Sequence, residues 1–527
     1  MTAEFDYIVV GAGSAGSAVA SRLSENPDVT VLLLEAGPED VGPQFTTPAI
    51  YGRLYKSEWD WDLATEPEHG LGGRRAYLPR GKVVGGTSSI NSMIYTRGSR
   101  GDYDEWAASG ATGWSYDDVL PWFKKAEDNE RGASDCHGVG GPLAVSDGSY
   151  RSPLIEAWLE AAAASGLPST DDFNGPRLIG VGHYQVTQRS GRRWSAATAY
   201  LAPVRERANL TIVTRAYVTR IVLEKGRAVG VAAVVRDEPR TFRAREEIVL
   251  SAGAYYTPQI LMLSGIGPAD HLRAMDVEVL LDNPEVGQNL QDHAGCFISY
   301  RSRIEGLYAA DTPEHRASHE RDGSGPLASN VPEAGGFLNL PGVESEIPQI
   351  QLHAVPSMFY DEGLGPAYDN AFSLSTYVNR PRSVGWVRLR SPQPLSKPRI
   401  FHNYFDAPED RTVLRDGVAL AMSSVLQQPM LEVLKDVRLS VSEGLAPASD
   451  AATDLDEFIT RTAFSFFHPV GTAAIGAVVD TELRVQGVEG LRVADASVMP
   501  TLIAGNTNAP SIMIGERAAA FIAGAAS

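Results

Sequence analysis

The sequence predicts an α/β protein in which a parallel sheet carries an inserted β-meander and a second domain is built on an antiparallel sheet. Residues 5–10 (FDYIVV) predict a buried strand, followed by a glycine-rich loop and a helix of small residues. β-Rich sequence at 210–237 interrupts the α/β pattern that this start predicts. Apolar and charged residues alternate at 386–390 (WVRLR), which is typical of an antiparallel sheet with one face in water.

Composition places the chain among globular proteins. Of its 527 residues, 43% are hydrophobic and 21% are charged. A chain of this length folds as roughly two to four domains or as one large composite fold. The formal net charge of −19 argues against a nucleic-acid partner, which requires a basic face. The two cysteines, Cys136 and Cys296, allow at most one disulfide and exclude a disulfide scaffold or a thiolate metal cluster.

The sequence predicts no membrane span. The N-terminal segment (MTAEFD) is acidic and lacks the positively charged start of a signal peptide. The longest uncharged stretch, residues 496–515, contains two prolines and two asparagines and is poorly suited to a bilayer. We therefore expect a cytoplasmic protein.

The glycine-rich loop at 11–16 (GAGSAG) matches the dinucleotide-binding pattern G-x-G-x-x-G in the context that this pattern requires. A predicted strand precedes the loop and a predicted helix follows it. A second predicted strand, at 30–34, ends in Glu35, about 20 positions after the last glycine. Strand, loop, helix and acidic residue together predict a nucleotide cofactor rather than an ordinary turn.

Each residue of this pattern has a physical role. Gly11 permits the tight turn, Gly13 lets the backbone approach a pyrophosphate group, and Gly16 lets the helix pack closely on the strand. Glu35 can accept hydrogen bonds from a ribose diol. The same predicted nucleotide site includes Ser14, Ala15 and Ala36.

Further segments follow in a fixed order along the chain. They are 81–91 (GKVVGGTSSIN), 253–267 (GAYYTPQILMLSGIG), 468–472 (HPVGT), 493–497 (VADAS) and 506–508 (NTN). Together with the loop at 11–16, they resemble the signature motifs of the glucose–methanol–choline (GMC) oxidoreductase family. The matches run from residue 5 to past residue 510, so the resemblance covers nearly the whole chain.

The resemblance implies FAD as the cofactor and a Rossmann-like FAD-binding domain with an inserted β-meander, whose turn we predict at Lys225-Gly226. It further implies a discontinuous FAD-binding domain (1–150, 205–300 and 468–527) and a substrate-binding domain (151–204 and 301–467). Within the second domain, the acidic segment 305–325 predicts a mobile surface loop, either a lid or a solvated excursion. The resemblance also places these residues in the cofactor site: Gly86, Thr87, Asn91, Val218, Asp495, Ala496 and Thr507.

Two signature segments can also be interpreted from their residues alone. Gly85-Gly86 with the three hydroxyls of 87–89 suits flavin carbonyls or phosphate oxygens, and it suits a polar loop equally well. Thr257 and Pro258 predict a helix over 258–263, with a hydroxyl cap and proline in the first position. We assign no chemistry to that helix.

His468 is the candidate catalytic base. It follows three phenylalanines and has no charged residue nearby, so it is either a hydrogen-bonded core histidine or a general base with a pKa lowered by burial. The resemblance favours the base, because His468 falls on the catalytic histidine of the family. The other histidines predict no metal cluster, and several are expected to be solvated, namely His137, His315 and His319.

Asn506 stands at the partner position, where other members of the family have a second histidine or an asparagine. Its amide cannot take a proton at neutral pH but can hydrogen-bond a substrate oxygen. The resemblance implies that His468 accepts the alcohol proton while the substrate carbon transfers hydride to flavin N5. Oxygen or another acceptor then reoxidises the flavin. Thr507 and Asn508 are expected to contact backbone or flavin.

Two positions distinguish this chain from choline-specific members of the family. Ile90, which has no nucleophile, replaces the histidine that some of them attach to FAD, so we expect non-covalent FAD. Asp292-His293 is followed by Ala294–Cys296 without the glutamate that suits a trimethylammonium group. Choline is therefore the less favoured substrate. The aromatic run Phe464, Phe466 and Phe467 is consistent with core packing or with a pocket for benzylic, furanic or longer aliphatic alcohols.

These observations leave three hypotheses for the function. The first is FAD-dependent oxidation of a primary alcohol to the aldehyde, with choline dehydrogenase-type activity as a variant. The second is a redox-silent FAD lyase of the same fold, such as a cyanohydrin lyase, which also uses a histidine base. The third, a light-driven decarboxylase, requires a cationic anchor for a carboxylate, and the sequence identifies none.

Overall fold

The computed structural model describes residues 3–435 and 455–524, and it confirms a mixed α/β protein. Its seven-stranded sheet has parallel pairing around the first strand and an antiparallel meander at one edge. The order across this sheet is Leu210–Val213, Val31–Leu34, Ala3–Val10, Glu238–Leu250, Arg227–Val235 and Ala216–Glu224, with Leu491–Val493 paired to the end of Glu238–Leu250.

The meander confirms the predicted turn. Glu224 pairs with Arg227 across the turn, and the two residues between them, Lys225 and Gly226, have φ angles of 52° and 84°. Positive φ at both central residues is typical of the tight hairpin turn whose twist matches that of the flanking strands. The dipeptide therefore sets the register of this hairpin.

A second sheet of six strands is antiparallel throughout. Its order is Phe464–Ser465, Ala294–Arg301, Ala371–Val378, Ile350–Val355, Ala334–Leu338 and Gly180–His183. The predicted strand at 386–390 exists as Trp386–Arg388, but it pairs with Arg399–Phe401 in a separate two-stranded sheet. Buried apolar side chains form one large core around each of the two main sheets.

Helices cover both sheets, and two of them frame the site described below. The longer α-helices are Ser14–Leu23, Arg100–Ala108, Tyr116–Ala126, Pro153–Ala164, Gly253–Leu263, Pro313–Asp322, Pro408–Val425, Leu455–Thr462 and Asn508–Ile522. The first and the last of these pack against each other. At their contact, a side chain on Gly515 would meet the carbonyl oxygen of Ala15 at 2.4 Å, so only glycine permits this approach.

A buried ion pair fastens the same two helices. Arg22 of the first helix contacts Glu516 of the last at 2.8 Å, and the Glu516 side chain is 0% exposed. The hydroxyl of Tyr200 donates a hydrogen bond to the same carboxylate at 2.7 Å. Lys125 lies farther from this carboxylate, at 3.6 Å, so Arg22 is its main partner. Loss of the main partner of a buried charge costs far more than the net contribution of an intact pair.

We therefore expect Arg22→Met to lower the free energy of unfolding by about 3 kcal/mol, because the Glu516 carboxylate keeps its burial and loses its main partner. Chemical denaturation followed by circular dichroism measures the change. Arg243→Met is the matched control, since Arg243 pairs with Glu224 at the surface (41% and 54% exposed) and should change stability little. Equal effects of the two substitutions would contradict this account.

The helix predicted over 258–263 begins earlier, at Gly253, and Pro258 lies inside it. Proline cannot donate to the carbonyl four residues back, which here belongs to Ala254. That carbonyl instead accepts a hydrogen bond from the hydroxyl of Thr472 at 2.6 Å. The predicted boundary was wrong because a residue distant in the chain satisfies the group that proline leaves unpaired.

The segment 305–325, predicted as a surface loop, contains the helix Pro313–Asp322. Thr312 caps this helix by accepting from the backbone N–H of His315 at 3.2 Å. The prediction that His319 is solvated was also wrong, since it is 4% exposed and contacts the carbonyl oxygen of Gly191 at 2.9 Å. The polar composition of the segment does not show that its helix lies against the rest of the chain.

The prediction for His137 was wrong for a related reason. Its ring is buried and contacts the carboxylates of Asp172 at 2.8 Å and Glu127 at 3.1 Å. Hydrogen bonds to Asp172 and then Glu127 raise the pKa of His137 to about 9. Arg97 contacts the same Glu127 carboxylate, and both of these side chains are buried, so the cluster is a largely internal polar network.

Cys136 and Cys296 are both free thiols, so the disulfide that their number allows is absent. Over residues 3–435 and 455–524, no helix has the length and apolar character needed to cross a bilayer.

Candidate active site

One cavity of about 270 Å³ extends from the glycine-rich loop to His468. Every residue that the sequence assigned to the site lines this cavity except Gly16. The lining members are Gly11, Gly13, Ser14, Ala15, Glu35, Ala36, Gly86, Thr87, Asn91, Val218, Asp495, Ala496, Thr507, His468 and Asn506. Ile90 and Asn508 line it as well.

The three loop glycines occupy different surroundings. Gly11 has a φ of +100°, and a side chain there would meet the carbonyl oxygen of Ser251 at 2.4 Å. A side chain on Gly16 would meet the carbonyl oxygen of Gly11 at 1.9 Å, so this position holds the helix against the loop. Gly13 has no atom within 4 Å of the place of its missing side chain, and it lines the cavity. The chain thus leaves open space where a pyrophosphate group requires it.

Glu35 follows the strand Val31–Leu34 and is 5% exposed. Its two carboxylate oxygens accept from the backbone N–H groups of Ala12 at 2.9 Å and Gly37 at 2.8 Å. Burial raises the pKa of Glu35 to about 7, while these two hydrogen bonds act in the opposite direction. The carboxylate is therefore fixed beside the loop, with acceptor capacity left for the hydroxyls of a ribose.

The segment 85–89 turns only part of its polar groups toward the cavity. Gly86 packs against Gly13, since a side chain on it would meet the Gly13 α-carbon at 2.7 Å. Thr87 lines the cavity. The other two hydroxyls of the segment bond within it: Ser88 donates to the carbonyl of Gly85 at 2.6 Å, and Ser89 donates to the carbonyl of Val84 at 2.9 Å. The two serines stabilise their own turn.

Asp495 anchors the cavity wall near the helix Gly253–Leu263. Its carboxylate accepts from the backbone N–H of Gly253 at 2.9 Å and from the Thr257 hydroxyl at 2.6 Å. Burial raises the pKa of Asp495, and a hydrogen bond from Ser497 partly offsets this. Elsewhere in the lining, Ser14 donates to the side-chain oxygen of Asn508 at 2.7 Å, so the N-termini of two helices meet at the cavity.

At the other end of the cavity, His468 is 8% exposed and both of its ring nitrogens have partners. Its Nδ1 lies 2.9 Å from Nδ1 of His293, and its Nε2 lies 3.1 Å from Nδ2 of Asn506. Its backbone N–H donates to Asp292 at 2.7 Å. Burial, followed by the proximity of His293, lowers the pKa of His468 well below its usual value. The imidazole is therefore neutral at pH 7 and can act as a base.

The sequence analysis did not identify two polar residues near His468 and Asn506. Gln351 donates to the Asn506 side-chain oxygen at 3.2 Å, and His353 lines the cavity. Both lie on the strand Ile350–Val355. Alternate residues of a strand share one face, so a glutamine and a histidine two positions apart in an otherwise apolar strand were a usable signal.

Aromatic rings form the wall beside His468. Phe297 and Phe359 stack with centroids 4.0 Å apart, and Phe464 lies 5.0 Å from Phe466. Phe467 also lines the cavity. The aromatic run Phe464, Phe466 and Phe467 therefore belongs both to a hydrophobic core cluster and to the cavity wall. Among the described lining residues, the carboxylates are Glu35 and Asp495, and backbone groups hold both of them.

The site fits FAD by its own chemistry. The open space at Gly13, the paired helix N-termini and the fixed Glu35 suit the pyrophosphate and ribose groups of a dinucleotide. The cavity then continues to a neutral buried histidine and an amide, which suit proton transfer from a substrate held there. The fold and the site therefore define an enzyme of the dinucleotide-dependent class, with a buried histidine lining the same cavity.

Comparison with known proteins identifies the family. Residues 5–295 and 381–515 match the N-terminal and C-terminal models of GMC oxidoreductase. The chain is 41% identical to the oxygen-dependent choline dehydrogenase of Brucella suis, covering 99% of this chain and 96% of that protein. It is also 41% identical to the mitochondrial choline dehydrogenase of Homo sapiens, covering 99% and 90%.

A solved structure supports the same conclusion. Pyridoxine 4-oxidase from Mesorbium loti superposes with a TM-score of 0.87 at 34% identity, covering 98% of each chain. The chain belongs to the GMC oxidoreductase family. It is accordingly an FAD oxidoreductase that acts on the CH–OH group of small-molecule donors.

Proposed function

We propose that the protein oxidises primary alcohols with an apolar substituent, benzylic, furanic or longer aliphatic, to the corresponding aldehydes. The observation that carries this proposal is the position of His468 Nε2, a buried imidazole nitrogen beside Asn506 in an otherwise aromatic part of the cavity. When bound, FAD supplies the acceptor for the hydride of the substrate carbon and passes the electrons to oxygen or another acceptor.

In this proposal, His468 and Asn506 carry out the transfer of the proton from the alcohol hydroxyl. His468 Nε2 accepts the hydroxyl proton of the alcohol, and the low pKa that burial gives His468 keeps this nitrogen available at neutral pH. Asn506 Nδ2, 3.1 Å from that nitrogen, donates to the alcohol oxygen and holds it in line. The phenylalanine wall excludes water and holds the apolar substituent.

The cofactor would be held without a covalent bond. Ile90 lines the cavity at the position where some relatives carry the attached histidine, and its hydrocarbon side chain forms no such bond. The nucleotide half would lie against Gly11, Gly13 and Glu35, and the flavin half against Asn91 and the residues around Asp495. We also propose the discontinuous division into an FAD-binding domain (1–150, 205–300, 468–527) and a substrate-binding domain (151–204, 301–467).

Choline is the second candidate substrate, because two relatives at 41% identity are named choline dehydrogenases. The aromatic wall could hold a trimethylammonium group by cation–π contact. Against choline, the carboxylates of the described lining are Glu35 and Asp495, and both are already held by hydrogen bonds from protein groups. The proposal therefore favours neutral alcohols.

We expect the purified yellow protein to lose its visible flavin absorption when it is mixed anaerobically with a benzylic or furanic primary alcohol. Choline at the same concentration should bleach the flavin at least about 10-fold more slowly, because the cation gains no carboxylate partner. Rapid return of the colour in air, with peroxide formed, would identify an oxidase, and slow return would identify a dehydrogenase. No bleaching by any alcohol would overturn the proposal and favour the lyase hypothesis.

A further inference from the structure

The hydrogen bonds around His468 form one continuous chain that starts at a backbone carbonyl. His293 Nε2 lies 2.9 Å from the carbonyl oxygen of Asn379, and His293 Nδ1 lies 2.9 Å from His468 Nδ1. His468 Nε2 lies 3.1 Å from Asn506 Nδ2, and Asn506 Oδ1 lies 3.2 Å from Gln351 Nε2. All five residues are buried, so these groups depend on one another for their hydrogen bonds.

The Asn379 carbonyl at one end determines which group donates and which accepts in each hydrogen bond of the series. A carbonyl oxygen only accepts, so His293 carries its hydrogen on Nε2 and its Nδ1 is a bare acceptor. The hydrogen between the two rings therefore belongs to His468 Nδ1. A neutral His468 then has a bare Nε2, which accepts from the Asn506 amide. The Asn506 oxygen is turned away from His468 to accept from Gln351.

His293 is suited to this role because it stays neutral. Its side chain is 0% exposed, and burial lowers its pKa to about 3. A protonated His293 would carry hydrogen on both nitrogens and could not accept from His468. The neutral state therefore preserves the acceptor that this series of hydrogen bonds requires.

Within residues 3–435 and 455–524, the hydrogen-bond partners of the His468 ring are His293 and Asn506, and neither is a carboxylate. Asp292 is directed to other donors, namely the backbone N–H of His468, the hydroxyl of Tyr404 at 2.6 Å and the hydroxyl of Ser465. A carboxylate on His468 Nδ1 would raise the pKa of the imidazole, whereas a neutral histidine leaves it low. The titratable and charged groups around the two rings are Asp292, His353, Tyr377, Arg80 and Arg380.

We propose that His293 is a positioning residue that holds His468 in the tautomer with hydrogen on Nδ1 and a bare Nε2. The inference rests on the proposed role of His468 as the base, because only that tautomer can take a proton on the cavity side. Without an acceptor at position 293, nothing holds the hydrogen on Nδ1. The ring can then place its hydrogen on Nε2, where it blocks the alcohol.

Two substitutions separate this role from simple packing. His293→Gln keeps an acceptor for His468 and a donor for the Asn379 carbonyl, whereas His293→Leu fills similar space and removes both. The holoenzyme is labelled with ¹⁵N-histidine, and nitrogen NMR distinguishes a bare ring nitrogen from a protonated one. The His468 signals are identified by their loss in His468→Gln. Flavin content and thermal unfolding show whether each variant is folded.

We expect Nδ1–H and a bare Nε2 on His468 in the wild type and in His293→Gln. In His293→Leu, the hydrogen should be found partly or wholly on Nε2. With an alcohol that bleaches the wild-type flavin, kcat/KM should fall roughly 10²–10⁴-fold in His293→Leu, the scale of loss for a catalytic histidine in the wrong tautomer. His293→Gln should remain within roughly 10-fold of the wild type, since it keeps the tautomer.

An unchanged His468 tautomer in His293→Leu would overturn the inference, whatever the activity of that variant. A wild type with hydrogen on His468 Nε2 would overturn it as well. If the NMR result is as expected but no alcohol bleaches the wild-type flavin, the proposed function fails while the role of His293 in setting the tautomer stands.

Discussion

His468→Gln is expected to lower kcat/KM for the preferred alcohol by about 10²–10⁴-fold, the usual contribution of a general base. Glutamine fills the site and can hydrogen-bond to Asn506, but it cannot take a proton at neutral pH. Stopped-flow measurement of anaerobic flavin bleaching gives the rate directly. The visible spectrum of the variant should show bound flavin, because the hydrogen-bond partners of His468 are His293, Asn506 and Asp292 and not the dinucleotide loop.

His319→Gln is the matched control for this substitution. His319 is also a buried histidine, but it contacts the carbonyl of Gly191 and does not line the cavity. Glutamine can donate to that carbonyl, so the rate of bleaching should stay close to that of the wild type. A His468→Gln enzyme as fast as this control would show that another group takes the proton.

The proposed role of His468 predicts that kcat/KM falls at acid pH. His468 must be neutral to accept a proton, and its burial lowers its pKa well below the usual value of 6.5. Wild-type kcat/KM should therefore stay level as the pH falls from 8 to about 6.5 and decline only below that value. The residual rate of His468→Gln should lack this acid limb. A decline centred above 6.5 in the wild type would contradict the assignment.

Gly13→Val is expected to abolish stable FAD binding without destabilising the protein itself. The position faces open space in the cavity, with no atom within 4 Å of the missing side chain, so the free protein tolerates valine. The same side chain would occupy the space where the backbone approaches a pyrophosphate. We expect at least roughly 100-fold weaker binding, about 2.8 kcal/mol, measured by titration of the flavin-free protein with FAD.

Gly52→Val and Gly16→Ala are the two controls for the Gly13→Val substitution. Gly52 likewise has no atom within 4 Å, but it is exposed and outside the cavity, so both FAD affinity and stability should be unchanged. A methyl group on Gly16 would meet the Gly11 carbonyl oxygen at 1.9 Å, so this variant should lose thermal stability even without FAD. Full flavin content in Gly13→Val would contradict the assigned position of the pyrophosphate.

Local signals in the sequence were enough for the parts of the fold that depend on neighbouring residues. A turn at 11–13 joins the strand Ala3–Val10 to the helix Ser14–Leu23, so the predicted order of strand, glycine-rich turn and helix is confirmed, although residues 14–16 belong to the helix. Lys225-Gly226 forms the predicted hairpin turn. These features are governed by backbone conformations that only certain residues adopt, so a short stretch of sequence specifies them. The assigned site residues line one cavity, and their roles in binding and catalysis stay predictions.

The sequence predictions failed where a contact with a distant segment of the chain determines the local structure. Pro258 lies inside a helix because Thr472 hydrogen-bonds the carbonyl that proline leaves free. His137 and His319 look solvated by composition, yet each is buried against groups that other segments supply. Local composition cannot register a partner more than 30 residues away in the sequence, as Asp172 is from His137.

The sequence by itself determined the class of cofactor site, because glycine spacing is a local property. It named His468 as the candidate base only through the resemblance to the family, since the local surroundings of His468 suit a core histidine as well. Only the tertiary structure supplies the hydrogen-bond partners on which the proposed tautomer of His468 rests. These partners are Asn379, His293, Asn506 and Gln351, which lie in separate segments of the chain. A tautomer is set by the partner of each nitrogen, and folding alone brings those partners together.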